Sequence, residues 1–328
     1  MNLLKDFLEH TERVILMPET TPIHRLFRLE KSWGYKKIYI KRDDMTGIGT
    51  GGNKIRSLEY ILGEALKVGS DKILVSGPAQ SNLCMLTAAA CAKLGLSCEV
   101  IHNSSEPENF QGNLLLNHIL GVKSHFIGDV DSTVRAGYVE ELYEQLEKQG
   151  YNPYVVKNGA TTGRGALGYV AAIPELMKQC REENIENLTI FAPGGNGGVA
   201  TGLIYGNAMF GYPFKIVVMS VEDDAETLKR HIVHTIKELE EITGLPIKEK
   251  IENMCSLVDD YRGAGWGVNT SESSEEVYEF AKLEGVFIEN VYNSKVLVGM
   301  KNWIREGHVE GDVCYLHTGG LGSLFSQY

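Results

Sequence analysis

Short apolar segments alternate with helical segments along most of this 328-residue chain, and that alternation constrains the fold more than any other feature. Strands separated by helices connect through right-handed crossovers, which gives parallel sheets covered by helices. We therefore expect an α/β protein with mostly parallel sheets. The pattern predicts strands at residues 37–41, 72–76, 97–102, 122–127, 154–157, 188–192, 215–220 and 312–317, and helices near 55–66, 83–94, 113–120, 132–148, from 199, 225–242 and 274–284.

A segment rich in glycine and threonine, residues 159–168, separates two halves of this pattern. Both halves repeat one unit, which is a strand, a glycine-containing or polar loop, and a helix. A chain of this length can form two moderate domains, or one large unit with a smaller one. We interpret residues 159–168 as the crossing from one domain to the other.

The composition, 43% hydrophobic and 23% charged, is typical of a soluble globular protein. The formal net charge of -11 argues against nucleic acid or an anionic membrane as the main partner, because both are negatively charged. Local backbone amides can still hold a phosphate on an acidic protein. The first ten residues contain acids and no long apolar run, so we predict neither a signal peptide nor a spanning helix, and expect the cytoplasm.

The cysteines show no short paired spacing of the kind that binds zinc, and we predict buried, reduced thiols and no metal site. Two of them are seven residues apart within a predicted helix, so they share one face of it. The six are Cys84, Cys91, Cys98, Cys180, Cys255 and Cys314.

Lys54 follows a Gly51-Gly52-Asn53 turn and stands where an amphipathic helical pattern begins. The positive end of a helix disfavours an ammonium group, so we expect the pKa of this lysine to be lowered and its amine to be a nucleophile. Taken alone, the motif is more typical of a solvated lysine in a surface turn.

Asp43 and Asp44 are adjacent acids in the loop before that turn. Paired carboxylates can serve acid–base chemistry or bind a cation. Two consecutive acids in a loop more often cap a helix or pair with neighbouring bases, here Lys41 and Arg42. We favour the structural role.

A glycine-rich loop, Gly194-Gly195-Asn196-Gly197-Gly198, follows a predicted strand and opens a helix. Unhindered backbone N–H groups at a helix start bind phosphate. The loop matches neither the dinucleotide fingerprint nor the lysine-bearing nucleotide loop, so a phosphate-bearing cofactor smaller than a nucleotide fits better. Close helix packing is the alternative explanation for these glycines.

Gln80, Ser81 and Asn82 also lie where a predicted strand ends and a helix begins, the edge at which open parallel sheets bind ligands. Their amides suit a carboxylate, and their side chains suit a ring hydroxyl. Taken alone, this loop is more typical of an ordinary helix cap, in which Ser81 or Asn82 accepts from free N–H groups.

Five motifs in order now give a specific resemblance: residues 51–54, 80–82, 194–198, 291–292 and 317–320. From about residue 21 to 325 the chain resembles the pyridoxal-phosphate enzymes of fold type II, in the group of D-cysteine desulfhydrase and 1-aminocyclopropane-1-carboxylate deaminase. The resemblance implies the tryptophan synthase β-like fold, with two domains that are each an open, mostly parallel sheet with helices on both faces. It also implies pyridoxal 5'-phosphate as cofactor, a small amino acid as substrate and a homodimer. The expected large domain comprises residues 1–54 and 159–328, and the small domain residues 55–158.

The resemblance also implies roles for individual residues. Lys54 matches the lysine that forms the Schiff base with the cofactor and later acts as base, and Asn82 matches the asparagine that hydrogen-bonds the pyridine hydroxyl. Ser81 and Tyr292 match catalytic positions. The implied cofactor-binding residues are Lys54, Asn82, Gly194, Gly195, Asn196, Gly197, Gly198, Asn293 and Thr318, and the implied substrate-binding residues are Gln80, Ser81, Asn82, Leu83, Trp266 and Tyr292.

Several substrate-facing positions depart from that group. Leu83-Cys84-Met85 stands where a histidine and an arginine are usual, Trp266 replaces a tyrosine, and Val199 replaces a threonine of the phosphate loop. Asn293 stands where the deaminases carry glutamate and the desulfhydrases threonine. A glutamate there would keep the pyridine nitrogen protonated, which suits ring opening. We therefore predict β-elimination, giving a keto acid and ammonia, from an amino acid related to D-cysteine. Ring opening, a cofactor-binding protein with little turnover, and a nucleotide-binding protein are the alternatives.

Overall fold

The computed structural model describes residues 3–328, whose strands form two separate sheets. A six-stranded sheet has the order β1-β2-β10-β7-β8-β9, and only β1 runs antiparallel to its neighbour. A four-stranded sheet has the order β5-β4-β3-β6 and is entirely parallel. The strands are β1 (Ile23–Arg25), β2 (Ile38–Arg42), β3 (Lys72–Gly77), β4 (Ser97–His102), β5 (Lys123–Phe126), β6 (Pro153–Val156), β7 (Thr189–Gly194), β8 (Lys215–Ser220), β9 (Ser256–Val258) and β10 (Val313–His317).

Helices connect the parallel strands of both sheets, as the sequence pattern predicted. They are α1 (Leu3–His10), α2 (Phe27–Trp33), α3 (Lys54–Lys67), α4 (Asn82–Leu94), α5 (Gly112–Ile119), α6 (Ser132–Lys148), α7 (Gly163–Val170), α8 (Ala172–Glu183), α9 (Gly198–Met209), α10 (Ala225–Thr243), α11 (Ile251–Met254), α12 (Ser271–Glu284), α13 (Asn293–Arg305) and α14 (Leu321–Leu324). The predicted α/β class with two mostly parallel sheets is confirmed.

The glycine-rich crossing, residues 159–168, differs from the prediction, because its last six residues belong to helix α7. Thr162 caps this helix by accepting from the N–H of Gly165 at 3.0 Å. The glycines allow close backbone contact: an added Cβ on Gly168 would lie 2.4 Å from the carbonyl oxygen of Arg56, and one on Gly202 would lie 2.4 Å from that of Ala166. Gly168 therefore serves α3–α7 packing and Gly202 serves α7–α9 packing, and a high glycine content here does not mean a loop.

A buried ion-pair network ties α3 to the six-stranded sheet. Arg56 donates to both oxygens of Asp43 at 2.8 Å and to Glu175 at 2.9 Å, and Tyr169 donates to Asp43 at 2.6 Å. Lys41 pairs with Glu175 in the same network. Because Arg56 is two residues beyond Lys54, this network fixes the first turn of α3.

The predicted structural role of the two acids is confirmed, with one change of partner. Asp44 pairs with Arg42 as expected, at 2.7 Å. Asp43 takes Arg56, which is distant in sequence, instead of a neighbouring base.

The cysteines are all free thiols, and Cys84, Cys91, Cys180 and Cys314 are buried. Of the helices between residues 3 and 328, none combines the length and the apolar character that crossing a bilayer requires.

Candidate active site

The start of α3 lies against the loop that follows β10. Gly52 and Gly319 form an isolated antiparallel bridge, and the Asn53 N–H donates to the Thr318 carbonyl at 3.0 Å. An added Cβ on Gly319 would lie 2.6 Å from the Gly52 Cα, so the close contact between these two segments requires a glycine at position 319. This contact places the predicted lysine beside the carboxyl edge of the large sheet, where open α/β sheets bind ligands.

Lys54 is the first residue of α3, and its Nζ donates to the Gly159 carbonyl at 2.7 Å. Burial lowers the pKa of Lys54 to about 8 from the usual 10.5. The predicted direction of this shift is found, but the cause differs from the expected helix field: low solvation disfavours the ammonium form. An appreciable fraction of this amine is therefore neutral near physiological pH.

The glycine loop presents free donors close to that lysine. The backbone N–H groups of Gly195, Asn196 and Gly197 have no acceptor within residues 3–328, and the 12-residue helix α9 starts at Gly198. An added Cβ on Gly159 would lie 2.9 Å from the Asn196 amide nitrogen, so the Lys54 acceptor borders the same loop. A row of unpaired N–H groups at a helix start fits a phosphate.

Thr161 lies at the same place. Its hydroxyl would be 3.2 Å from an added Cβ on Gly198, and it is buried without a hydrogen-bond partner among the described residues. Val199, the residue without a hydroxyl, is half-buried in the first turn of α9. Sequence reasoning did not single out Thr161, since nothing in the local pattern links it to a loop almost forty residues later.

The loop after β3 combines a helix cap with the side-chain amide of Asn82, whose Oδ1 accepts from Asn113 and whose Nδ2 has no acceptor within residues 3–328. Ser81 accepts from the Cys84 N–H at 3.2 Å and is the N-cap of α4, so the alternative reading of this serine is present in the structure. The side chain of Gln80 is held by Gln111 and Asn113. Asn82 is half-exposed, and its Nδ2 lies 3.5 Å from an added Cβ on Gly320, at the start of α14.

Tyr292 lies on the other side of the glycine loop. Its Cε1 would be 3.2 Å from an added Cβ on Gly195, and its hydroxyl accepts from Trp266 Nε1 at 2.7 Å. Burial raises the pKa of Tyr292, and the Trp266 hydrogen bond acts in the opposite direction. The phenol is therefore protonated at neutral pH and can donate a proton. A Glu222 carboxylate oxygen would lie 3.7 Å from the same added Cβ.

Asn293 has protein partners on both ends of its amide. Its Nδ2 donates to Glu289 at 2.8 Å and to the Gly319 carbonyl at 2.7 Å, while its Oδ1 accepts from Tyr315 and Thr318. The implied contacts of Asn293 and Thr318 with a cofactor stay predictions. The arrangement holds a neutral amide beside the loop after β10.

Two buried charges that sequence reasoning missed hold this side of the site. Glu289, 1% exposed, accepts from the backbone N–H groups of Val291, Tyr292 and Asn293. Lys295 is fully buried and donates to three backbone carbonyls, including that of Gly265, next to Trp266. Their signal in the sequence is only a charge near Tyr292, which is equally typical of a surface helix.

The three residues that depart from the group after Asn82 lie in the core of the small sheet's layer. Leu83, Cys84 and Met85 are 4%, 0% and 1% exposed and belong to one apolar cluster. Burial raises the pKa of the Cys84 thiol to about 11. The predicted influence of Leu83 on the substrate stays a prediction, and it would act through packing beneath the loop.

Comparison with known proteins decides the family. The sequence profile described as "Pyridoxal-phosphate dependent enzyme" matches residues 15–319. The chain belongs to this family. A solved structure titled as an ACC deaminase homologue superposes on it with a TM-score of 0.90 at 32% identity, covering 99% of this chain and 96% of the other.

Curated relatives divide between two names. A Klebsiella pneumoniae (strain 342) protein named D-cysteine desulfhydrase is 32% identical over 324 residues, covering 96% of each chain. A Pyrococcus abyssi protein, whose name assigns it provisionally to 1-aminocyclopropane-1-carboxylate deaminase, is 31% identical over 318 residues, covering 97% of this chain and 94% of the relative. The family is thus that of fold type II, as the motifs indicated.

The residues present fit the family's cofactor. The unpaired N–H groups of Gly195, Asn196 and Gly197 would hold its phosphate, and the neutral amine of Lys54 would bond to its aldehyde carbon. The free Nδ2 of Asn82 is suited to its ring oxygen.

Proposed function

We propose that this protein is a lyase that removes a leaving group from the β-carbon of a small amino acid, in the manner of D-cysteine desulfhydrase. The overall reaction consumes water and yields a keto acid, ammonia and the protonated leaving group. The carrying observation is the fully bonded neutral amide of Asn293. Position 293 therefore carries no carboxylate that could keep a ring nitrogen protonated. The absence of this charge favours elimination of a good leaving group over opening of a cyclopropane.

Bound pyridoxal phosphate would supply an electron sink for the substrate. Lys54 Nζ, with its lowered pKa, takes the proton from the substrate Cα as general base. The start of α4, where Ser81 and Asn82 lie, binds the substrate carboxylate through backbone N–H groups. Tyr292 keeps its phenolic proton at neutral pH and donates it to the departing group, while Trp266 orients its hydroxyl.

We further propose a substrate other than D-cysteine itself, with a bulkier or more apolar side chain. The support is the indole of Trp266, which adjoins the Tyr292 hydroxyl and offers an apolar surface there. The second candidate is ring opening of 1-aminocyclopropane-1-carboxylate, which the name of the Pyrococcus abyssi relative favours. We also propose that the large domain comprises residues 1–54 and 159–328 and that the small domain comprises residues 55–158. A homodimer and a cytoplasmic location are proposed as well.

The absorbance spectrum tests the cofactor site first. The purified protein should show an absorbance band at about 420 nm that Lys54→Ala abolishes. Lys67→Ala is the matched control, because Lys67 lies in the last turn of the same helix and pairs with Glu12 on the surface. A wild-type protein without this band after incubation with cofactor would refute the proposal.

A substrate screen then tests the reaction. D- and L-amino acids with β-leaving groups and 1-aminocyclopropane-1-carboxylate are compared by keto-acid release. We expect turnover of a β-substituted amino acid and little ring opening. Ring opening at a comparable rate would select the second candidate, a clear preference for D-cysteine would remove the substrate proposal, and a band without turnover of any compound would indicate a binding protein.

A further inference from the structure

We infer that Asn113 is a positioning residue that fixes which end of the Asn82 amide faces the cofactor. Asn113 is fully buried in the first turn of α5 and comes from a different part of the small sheet's layer than Asn82. The inference rests on the proposed function, since it takes Asn82 as the contact to the cofactor's ring oxygen. It goes beyond that function by assigning a residue that no motif of the sequence contains.

The orientation of Asn113 follows from backbone partners whose chemistry is unambiguous. Its side chain lies 3.0 Å from the Gln80 carbonyl oxygen, which can only accept. The atom of Asn113 at that distance must therefore be Nδ2. The Asn113 backbone N–H, which can only donate, lies 2.8 Å from the Gln80 side-chain oxygen and fixes that amide as well.

The orientation of Asn82 then follows from that of Asn113. The second hydrogen of Asn113 Nδ2 points to Asn82 at 2.8 Å, so the Asn82 atom there must be the acceptor Oδ1. The other end of Asn82, the donor Nδ2, has no acceptor among residues 3–328. It lies at the large-domain loop, 3.5 Å from an added Cβ on Gly320.

This orientation matters because the ring oxygen of the cofactor can be anionic. A donor stabilises an anionic oxygen, whereas a carbonyl in the same place would repel it. An asparagine without a fixed partner could present either end, since the two ends have nearly the same shape. Asn113 removes that freedom before the cofactor binds, which is preorganisation of a binding site.

The large domain completes the arrangement. The Oδ1 of Asn113 would lie 2.0 Å from an added Cβ on Gly322 in α14, so Asn113 is buried only because that residue is glycine. Gly322→Ala should displace Asn113 and disturb Asn82 from the other domain.

The test is the pH titration of the visible absorbance band of the holoenzyme. In Asn113→Asp the new carboxylate accepts only, so Asn82 must turn its Nδ2 inward and its Oδ1 toward the ring oxygen. We expect the midpoint of the titration to rise by about one pH unit or more, and the cofactor to bind about tenfold or more weakly. Asn113→Ala, which merely frees Asn82, should shift the midpoint less and in the same direction, as should Gly322→Ala.

A double variant separates positioning from the charge of the new aspartate. In an Asn82→Ala background, Asn113→Asp should no longer move the midpoint, because the effect passes through Asn82. Asn117→Asp and Asn117→Ala are matched controls, since Asn117 lies one turn further along α5, is nearly as buried, and makes no side-chain hydrogen bond to Asn82 or to any other described residue. Neither variant should shift the pH midpoint of the absorbance titration.

The outcomes are distinct. A wild-type protein without the band would refute the proposed function itself. A normal wild-type band with an unchanged midpoint in folded Asn113→Ala, or a shift by Asn113→Asp that persists in the Asn82→Ala background, would overturn the role of Asn113 alone. If Asn113→Asp does not fold, Asn113→Ala and Gly322→Ala still decide the question.

Discussion

The reactivity of Lys54 should follow a pH profile that no ordinary lysine shows. Burial lowers its pKa from 10.5 to about 8, and its Nζ donates to the Gly159 carbonyl. At pH 7 and below, the neutral fraction of Lys54 should therefore exceed that of a free lysine by about 300-fold, which is the antilogarithm of the shift. The advantage disappears above the ordinary pKa, where both amines are neutral.

The assay is the rate at which the apoenzyme captures pyridoxal phosphate, divided by the rate for Nα-acetyl-lysine in the same buffer. The division cancels the titration of the cofactor itself. Between pH 7 and pH 10 this ratio should fall by about 70-fold, with most of the change above pH 8. A ratio that is constant over this range would mean that Lys54 has an ordinary pKa, and would refute the argument from burial.

One further pair of variants tests the electrostatic environment of this amine. Thr161 borders Gly159, the residue whose carbonyl accepts from Lys54. Thr161→Asp places a carboxylate there and should move the profile about one pH unit or more toward that of free lysine. Thr161→Asn is the neutral control of similar size and should leave the midpoint near its wild-type value.

Three other changes have defined outcomes. Asp43→Asn removes one of the two carboxylates that pair with the buried Arg56, leaving Glu175, and should reduce the free energy of unfolding in urea by about 3 kcal/mol. Burial alone would raise the pKa of Asp43, but Arg56 more than offsets this and lowers the pKa to about 2. The contribution of Asp43 to the free energy of unfolding should therefore be lost as the pH falls from 3.8 toward 2, and the variant should lack this loss. Glu289→Gln places an amide N–H₂ group against backbone N–H groups, and should lower the free energy of unfolding by about 1–3 kcal/mol and raise KM. An unchanged KM would contradict the role of Glu289 in holding Tyr292. Trp266→Phe should lower kcat/KM by about two- to tenfold through the lost hydrogen bond, and should have no further effect in a Tyr292→Phe background.

The strands and helices predicted most accurately from the sequence were those with strong local patterns. The strand at residues 97–102, the helix at 132–148 and the strand at 215–220 have the predicted bounds, since apolar periodicity and flanking turns suffice to define them. Helix α7 was not predicted because glycine normally weakens a helix. Its glycines are present because they allow close contacts with α3 and α9. Strand β9 has three residues and too little pattern to be recognised.

The ion pairs show a similar division. The pairing of Asp44 with Arg42 was predictable because the two residues are neighbours in sequence. The pairing of Asp43 with Arg56 was not, since a loop and a helix must first be brought together before a buried guanidinium can choose its partner.

The sequence by itself determined the fold class and the family, because motif types and their order are properties of the chain alone, and its assignment of individual site residues stays a prediction. The tertiary structure decided how those residues are adjusted. Burial in the folded protein lowers the pKa of Lys54, the Asn293 amide is hydrogen-bonded to other protein groups, and Asn113 donates a hydrogen bond to Asn82. These effects depend on solvation and on hydrogen-bond partners from distant segments, and neither exists until the two sheets and their loops have come together.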